Sequence, residues 1–371
     1  MQKNYTSIGL MSGTSGDGVD ASIIYSDGIN QYEVLKDKYF EYDTKIHKNI
    51  HLLKENISNP DDLIKYNIEL RELERAITIF HAKVVKEINP INQNPLIGFH
   101  GQTIYHNSEK KISKQLGDGK LLNQLTQKKI IFNFRENDIL NGGEGAPLSP
   151  IFHQLLTKQK KIKLPVCVLN IGGISNVTIV KEYVNPNTIL SKDIGPGNCL
   201  IDNWIRKNSD KKFDTDGQIA LSGKKNDVIF EQAQELYANR INKNKKSFDT
   251  NDFDISFSRG LSLEDGAITL TEFTASIIAE SLYQLNRENK INEIIICGGG
   301  RKNKTLLKSI SNNLHVNTKV SLIDDYGVDG DFIESQAFAF LAIRSYKKLP
   351  ISFPNTTDCR QPCIGGEIIE N

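Results

Sequence analysis

The alternation of hydrophobic and polar positions along the chain predicts short buried strands and three long helices. The strand candidates are short runs of aliphatic and aromatic residues, too brief for helices. They lie at Tyr5–Met11, Val19–Tyr25, Leu96–Gly98, Lys129–Phe134, Val166–Leu169, Val177–Val180 and Glu293–Cys297. Helical spacing begins at Pro60 and continues to Asn89, and it returns over Leu261–Asn289 and Phe332–Tyr346.

Two further patterns concern how these elements pack. The alternating residues between Asp27 and Tyr42 suggest a third strand and a fourth, and hence an antiparallel meander. The last helix is apolar on most faces, and Ala337, Ala339 and Ala342 would allow close approach, so we expect it to be buried between two lobes. A chain of 371 residues is also long for one core, which favours two lobes.

Composition and charge narrow the class of protein. The net charge is +1 and the basic run Asn242–Lys246 lacks interleaved aromatic residues, so we expect no nucleic-acid partner. No run of eighteen apolar residues occurs and the N-terminus lacks a signal-peptide pattern, so we expect a cytoplasmic protein without membrane contact. Cys359 and Cys363 lie four positions apart, but no second pair or nearby histidine completes a zinc site.

A small, hydroxyl-rich loop, Ser12–Gly18, separates the first two predicted strands. Its glycines permit positive φ, and Thr14 and Ser15 add hydroxyl donors to backbone N–H groups, a composition typical of phosphate-binding loops. It has no Walker Gly-Lys-[Ser/Thr], and a strand follows where Walker and dinucleotide loops have a helix. A plain glycine-serine hairpin is the alternative.

Two similar turns occur far along the chain. Gly172-Gly173 separates two predicted strands and would let backbone N–H groups approach an anion, and Gly298-Gly299-Gly300 ends the last predicted strand. Asp193 precedes Gly195-Pro196-Gly197, which would hold its carboxylate in place; alternatively, Asp193 caps a helix starting near Asn198. Three glycine-rich turns at strand ends favour a ligand site over unrelated hairpins.

Polar side chains also gather near strand ends. His100-Gly101-Gln102-Thr103 follows a buried strand, where α/β proteins place ligand-binding groups, although His100 equally suits a core. Arg135 and Asp138 are spaced to lie on one side of a turn, which suits a sugar or carboxylate ligand. A surface ion pair is the alternative for these two residues.

Together these segments resemble a known family. The matching motifs are GLMSGTSGDGVD (Gly9–Asp20), HGQT (His100–Thr103), GGEGAPL (Gly142–Leu148), NIGGISNVT (Asn170–Thr178), DIGPGN (Asp193–Asn198) and CGGGRKN (Cys297–Asn303). Their content and order resemble the anhydro-N-acetylmuramic acid kinases over nearly the whole chain.

The resemblance implies an α/β fold, the two-lobed actin-like ATPase (ribonuclease H-like) fold, with ATP in a cleft between the lobes. Lobe I would comprise residues 1–132 and 334–371 and carry the first phosphate loop and the sugar contacts. Lobe II would comprise residues 133–333 and carry the second phosphate loop and the nucleoside contacts. The helix starting near Phe332 would connect the lobes.

The resemblance also implies roles for individual residues. Asp193 matches the catalytic aspartate. The ATP-binding residues would be Gly13, Thr14, Ser15, Gly16, Asp17, Gly18, Val19, Asp20, Gly172, Gly173, Asn176, Gly195, Asn198, Gly298, Gly299 and Gly300. The sugar contacts would be His100, Gln102, Arg135, Asp138 and Glu334. The cofactors would be ATP and Mg²⁺. Many proteins of this fold hold Mg²⁺ with an acidic residue at the place that Met11 occupies here. The candidate Mg²⁺ ligands are therefore the nearby carboxylates of Asp17, Asp20 and Asp193.

The implied reaction is hydrolysis of the 1,6-anhydro ring of 1,6-anhydro-N-acetylmuramic acid, coupled to phosphorylation of O6 by ATP. It yields N-acetylmuramic acid 6-phosphate in peptidoglycan recycling. The partner is this small anhydro amino sugar, and a homodimer is the candidate assembly. Two alternatives stay open: an ordinary sugar kinase of the same fold acting on an open hexose or amino sugar, and a nucleotide-dependent binding protein without transferase activity.

The chain departs from the family pattern in a few places. Gly16, Phe99, Asn133 and Glu144 replace the usual leucine, serine, aspartate and glutamine, and residues 247–252 replace a Ser-Thr-Gly-Arg-Glu segment. Phe99 and Asn133 are close to the expected substrate contacts, so these two departures concern substrate specificity. The catalytic aspartate and the three nucleotide loops are retained.

Overall fold

The structure, a computed structural model, describes residues 3–13, 15–89, 94–240, 247–248, 250–314 and 318–370. Thr14 of the first loop and the basic run Asn242–Lys246 therefore lie outside the described residues. The strands, in chain order, are β1 (Tyr5–Ser12), β2 (Gly18–Ser26), β3 (Tyr32–Glu41), β4 (Leu96–Asn107), β5 (Ile112–Leu116), β6 (Ile130–Phe132), β7 (Val166–Ile171), β8 (Ile174–Val180), β9 (Leu190–Pro196), β10 (Glu293–Cys297), β11 (Lys319–Leu322) and β12 (Glu367–Ile369).

Helices connect and cover these strands. In chain order they are α1 (Thr44–Asn56), α2 (Pro60–Lys65), α3 (Asn67–Ile88), α4 (Gly119–Thr126), α5 (Glu136–Leu140), α6 (Pro150–Gln159), α7 (Cys199–Asn208), α8 (Gln218–Ser222), α9 (Asp227–Arg240), α10 (Leu263–Asn289), α11 (Lys304–Asn313), α12 (Ile333–Tyr346) and α13 (Pro354–Thr357). Within the described part of the chain, no helix has a stretch long and apolar enough to cross a membrane.

The chain divides into two compact units. Unit 1 contains Met1–Ile162, Glu182–Leu190 and Asp331–Asn371, and unit 2 contains Lys163–Lys181 and Ser191–Gly330. The first boundary differs from the predicted one at residue 132, because residues 133–162 pack with unit 1. The side chain of Asp138 in this segment bonds to Ser352 and Thr357, which belong to the same unit.

Unit 1 is built on a sheet with the strand order β12-β6-β4-β1-β2-β3, and β5 pairs with β4. β1 pairs antiparallel with β2 and parallel with β4, while β3 is antiparallel to β2 and β6 is parallel to β4. The predicted antiparallel meander is confirmed. A single strand, β3, occupies the region where a third strand and a fourth were expected.

Unit 2 repeats this arrangement in a sheet with the order β11-β10-β7-β8-β9. β7 is antiparallel to β8 and parallel to β10, which is in turn parallel to β11. In both units the first strand lies centrally, with a hairpin partner on one side and a parallel strand on the other. This duplicated order is the ribonuclease H-like arrangement of the actin-like fold, and it confirms the predicted fold class.

The last long helix, α12, packs directly on the sheet of unit 1. A Cβ on Gly9 of β1 would lie 1.8 Å from the carbonyl oxygen of Ser335, and one on Gly98 of β4 would lie 2.3 Å from that of Phe338. Glycines on the strands therefore let the helix backbone touch the sheet backbone. The close approach predicted from the alanines of this helix is confirmed.

The predicted helix from Pro60 to Asn89 is two helices. Asn59 caps α2 by accepting hydrogen bonds from the backbone of Asp61 and Asp62, and Tyr66 has φ −98° and ψ 23° between α2 and α3. Ile64 and Ile68 flank this break and are 77% and 72% exposed, so the apolar spacing there does not mark a face turned to the core.

Candidate active site

The first loop of unit 1 joins β1 to β2 and is closed by backbone hydrogen bonds. The N–H of Gly16, at φ +70°, donates to the Gly13 oxygen at 3.2 Å, and the N–H of Tyr42 donates to the Asp17 oxygen at 2.9 Å. Val19, predicted to bind nucleotide, has a buried side chain within the hydrophobic core. Among the described residues of the loop, Ser15 is exposed, and Gly13 and Asp17 are half-buried.

In unit 2, the Gly172-Gly173 turn and the segment that follows Asp193 are joined by backbone hydrogen bonds. The carbonyl of Gly172 accepts the N–H of Asn198 at 2.8 Å, and the carbonyl of Gly173 accepts those of Gly197 and Cys199 at 2.9 and 3.1 Å. A Cβ on Gly197 would lie 2.2 Å from the Gly172 oxygen, so only glycine fits there. We call these residues, 172–173 and 197–199, the glycine clasp.

Asp193 lies on β9, which leads into this clasp. This residue is 8% exposed, and its Oδ2 accepts the backbone N–H of Phe248 at 2.7 Å. Helix α7 begins at Cys199 with Asn198 as its N-cap, and no side chain caps it. The alternative interpretation of Asp193 as a helix cap is therefore wrong.

The triple-glycine turn follows β10, the parallel neighbour of β7. Gly298 has φ +79°, and a Cβ there would lie 2.3 Å from Oδ1 of Asn170. The buried Arg301 secures the turn, since its guanidinium donates to the Gly298 oxygen at 3.2 Å and to both carboxylate oxygens of Asp324 at 2.7 and 3.0 Å. This arginine holds the pKa of Asp324 below its usual value.

Three glycines, one in each loop, have space beside them. A Cβ on Gly13 would come no closer than 4.0 Å to Ser15 Oγ, one on Gly172 would lie 3.5 Å from the nearest atom, and Gly299 has no described neighbour within 4 Å. None of the three has a positive φ. Neither packing nor backbone conformation accounts for glycine at these positions, whereas close approach of a ligand would.

Two predicted polar contacts have buried oxygens that lack a partner among the described residues. These oxygens are Oε1 of Gln102 and Oδ1 of Asn176. The buried Oγ of Ser175 also lacks a hydrogen-bond partner among the described residues. The Gln102 amide nitrogen donates to the Gly13 oxygen at 3.0 Å, which ties β4 to the first loop from within the strand and not from the strand end that was predicted. An unpaired buried polar atom costs about 1–3 kcal/mol, so each of these oxygens favours a bound donor.

His100 does not present a ring nitrogen to a ligand. Its Nδ1–H donates to the Gly101 oxygen at 2.8 Å, and its Nε2 accepts from Arg135 at 2.9 and 3.2 Å. Burial, followed by the charge of Arg135, keeps the pKa of His100 well below its usual value, so the ring is neutral. His100 thus matches the core interpretation and orients Arg135.

Glu334 lies in the first turn of α12, near the Arg135 guanidinium. Burial raises the pKa of this carboxyl, and the positive charge of Arg135 acts in the opposite direction. A carboxylate in the first helical turn also interacts favourably with the helix dipole. The Arg135 guanidinium and the Glu334 carboxyl are therefore close enough to act on each other, and both remain predicted sugar contacts of unit 1.

Asp138 is turned into the protein. It is 1% exposed and accepts hydrogen bonds from the N–H of Gly145 at 2.8 Å, the hydroxyl of Thr357 at 2.6 Å and the hydroxyl of Ser352. The Arg135 guanidinium donates to the oxygen of the same Gly145 at 2.7 Å. The two residues therefore hold the N–H and the carbonyl of the same glycine, instead of forming the predicted ligand pair.

Two of the residues that depart from the family pattern, Phe99 and Asn133, bond or pack within the protein. Phe99 is 1% exposed, and its ring lies 4.8 Å from that of His81 in the core of unit 1. Asn133 has φ +55° and donates from its amide to the carboxylates of Glu136 and Glu367. Neither side chain is placed as a substrate contact.

The two C-terminal cysteines have a third neighbour that their spacing does not reveal. Ligand atoms of Asp138, Cys359 and Cys363 lie within 4.8 Å of one another. Burial raises the pKa of both thiols, that of Cys363 to about 12, and the Asp138 oxygens already accept three hydrogen bonds. The cluster is therefore a buried hydrogen-bond network that holds the C-terminal segment.

We predict that Asp138→Asn destabilises the protein. An amide has one acceptor oxygen and places an NH₂ group against a donor, so at least one buried partner loses its bond at a cost of about 1–3 kcal/mol. Thermal unfolding measures the effect. Asp358→Asn is the matched control, since Asp358 is exposed and the same charge is lost. Equal melting temperatures for the two variants would contradict this role of Asp138.

Comparison with known proteins identifies the family of this chain. The family model described as anhydro-N-acetylmuramic acid kinase matches residues 5–371. The chain is 54% identical to the anhydro-N-acetylmuramic acid kinase of Pelagibacter ubique, over 100% of both chains. It is 36% identical to that of Gluconobacter oxydans, over 98% of this chain and 99% of the relative. The chain belongs to the anhydro-N-acetylmuramic acid kinase family.

Proposed function

We propose that this chain hydrolyses the 1,6-anhydro ring of 1,6-anhydro-N-acetylmuramic acid and transfers the γ-phosphoryl group of ATP to the freed O6. The observation that carries the proposal is the set of open glycines, Gly13, Gly172 and Gly299, in three loops that end central strands. Phosphoryl transfer depends mainly on positioning and on neutralising phosphate charge, for which such backbone loops are suited.

Asp193 is the proposed general base. Its carboxylate removes a proton from a water molecule as the water oxygen attacks the anomeric carbon. The bond between that carbon and O6 breaks, and O6 then attacks the γ-phosphorus of ATP, releasing ADP. The hydrogen bond from the Phe248 N–H keeps one carboxylate oxygen of Asp193 in place and so orients the proposed base.

The first and second loops would hold the phosphates through backbone N–H groups, and Gly298–Gly300 would approach the nucleoside. In the glycine clasp the carbonyls of Gly172 and Gly173 are engaged, so they do not repel an anion. The unpaired oxygens of Ser175 and Asn176 supply acceptors close to the same turn. Gly195 and Asn198 act by shaping the clasp.

Mg²⁺ would neutralise charge on the phosphates of ATP. Oxygen donors suit this cation, and Asp20 is the proposed carboxylate ligand, because Asp193 is assigned to the water. Asp17 fits it less well, because its Oδ1 lies 3.1 Å from the imidazole Nε2 of His47.

On the sugar side, Arg135 and Glu334 are the proposed contacts, joined by the free oxygen of Gln102. The substrate carries a carboxylate, which the Arg135 guanidinium would attract. His100 and Asp138 contribute by holding Arg135 and Gly145. Because ATP is supplied in the cytoplasm, we infer a cytoplasmic location. The product would enter peptidoglycan recycling. The homodimer stays a prediction.

We predict that Gly13→Val weakens ATP binding while the protein stays folded. The space beside Gly13 accepts a side chain, so folding is preserved, but the branched group occupies the position proposed for a phosphate. Calorimetric titration with ATP measures the affinity, and Gly13→Ala should give a smaller loss than valine. Wild-type affinity in a folded Gly13→Val protein would remove this loop from the site.

We predict that Asp193→Asn lowers turnover by at least about 10²–10⁴-fold, the usual contribution of a positioned general base. The amide oxygen still accepts the Phe248 N–H, and ATP affinity should be kept because a negative charge is removed. Sugar-dependent ADP release measures the rate. Asp227→Asn, at an exposed position on α9, is the control. Near wild-type ring opening by Asp193→Asn would show that another group is the base.

A further inference from the structure

Three metal-ligating side chains meet where the first loop contacts α1. His47 and His51 are four residues apart on this helix, which places them on one face. Asp17 comes from the loop, and its Oδ1 lies 3.1 Å from Nε2 of His47. The two imidazole rings are 4.5 Å apart between centroids, and one ligand atom from each residue lies within 4.8 Å of the others.

The loop reaches the helix because residue 16 is glycine. A Cβ on Gly16 would lie 2.8 Å from Cγ2 of Ile50 and 3.8 Å from Nε2 of His51. The leucine usual in the family would fill this contact and displace the loop. The departure at position 16 and the approach of Asp17 to the histidines are thus parts of one arrangement.

The ligand set selects the class of cation. Two imidazole nitrogens and a carboxylate suit Zn²⁺ and related transition metals, whereas Mg²⁺ prefers oxygen donors alone. In a tetrahedral zinc site with bonds of 2.0–2.1 Å, ligand atoms are about 3.4 Å apart, so small side-chain rotations close the cluster. The side chains of His47 and Asp17 are 24% and 25% exposed, which lets a cation enter.

The local charge also favours a cation. The pKa of the Tyr39 hydroxyl is raised first by burial and then by the negative charges of Asp17, Glu41 and Asp20. Glu41 and Asp20 therefore add negative charge close to the hydroxyl that Asp17 also affects.

We propose that Asp17, His47 and His51 form a binding site for a transition-metal dication of the zinc class. The metal would tie the first loop to α1. Any effect on ATP binding rests on the proposed function, whereas the metal site itself does not depend on it.

Titration of the full-length, tag-free protein with Co²⁺ tests the site, in the absence of nucleotide and sugar. We expect visible absorption that saturates at one equivalent, is abolished by Zn²⁺ and persists in excess Mg²⁺. His47→Gln and His51→Gln should each weaken Co²⁺ binding by more than about 100-fold, the upper range for loss of an outer-shell partner. Lys48→Gln, at an exposed position on the same helix, should bind as the wild type does.

Thermal unfolding and circular dichroism establish that each variant is folded. Wild-type Co²⁺ affinity in both folded histidine variants would overturn the proposal, as would the absence of saturable absorption in the wild-type protein. Because the titration contains neither substrate, a failure of the kinase proposal leaves its outcome unchanged.

Discussion

The backbone hydrogen bonds of the glycine clasp are the interaction on which the proposed chemistry of unit 2 depends. The carbonyls of Gly172 and Gly173 receive the N–H groups of residues 197–199, with no room for a side chain at Gly197. Asp193 lies on the strand that enters this turn, so fixing the turn also fixes the carboxylate. The clasp thus links the loop proposed to bind phosphate to the proposed base.

Unit 1 uses side chains for a comparable purpose. Arg135 and Asp138 bond to the carbonyl and the N–H of Gly145, and Arg135 also donates to Nε2 of His100. These bonds orient a half-buried guanidinium near Glu334. Of these four predicted ligand contacts, Arg135 and Glu334 stay proposed contacts, whereas His100 and Asp138 hold their surroundings in place.

The loops and the fold class could be predicted from the sequence because their signals are local. Glycines, hydroxyls and short aliphatic strands stand next to one another, and the order of the motifs matches the family. The distant groups that hold the site residues in place could not be predicted. Phe248 holds Asp193 across 55 residues, and Thr357 bonds to Asp138 across 219, within segments that carry no recognisable motif. The helix break at Tyr66 was missed because its flanking isoleucines continue the apolar spacing.

The central claim is that water opens the ring before O6 attacks ATP. The direct test is to run the reaction with the anhydro sugar and ATP in ¹⁸O-labelled water, followed by mass spectrometry of the phosphorylated sugar. The account predicts one label at the anomeric carbon and none in the transferred phosphoryl group. Label in the phosphoryl group or in free phosphate, with an unlabelled anomeric carbon, would contradict it.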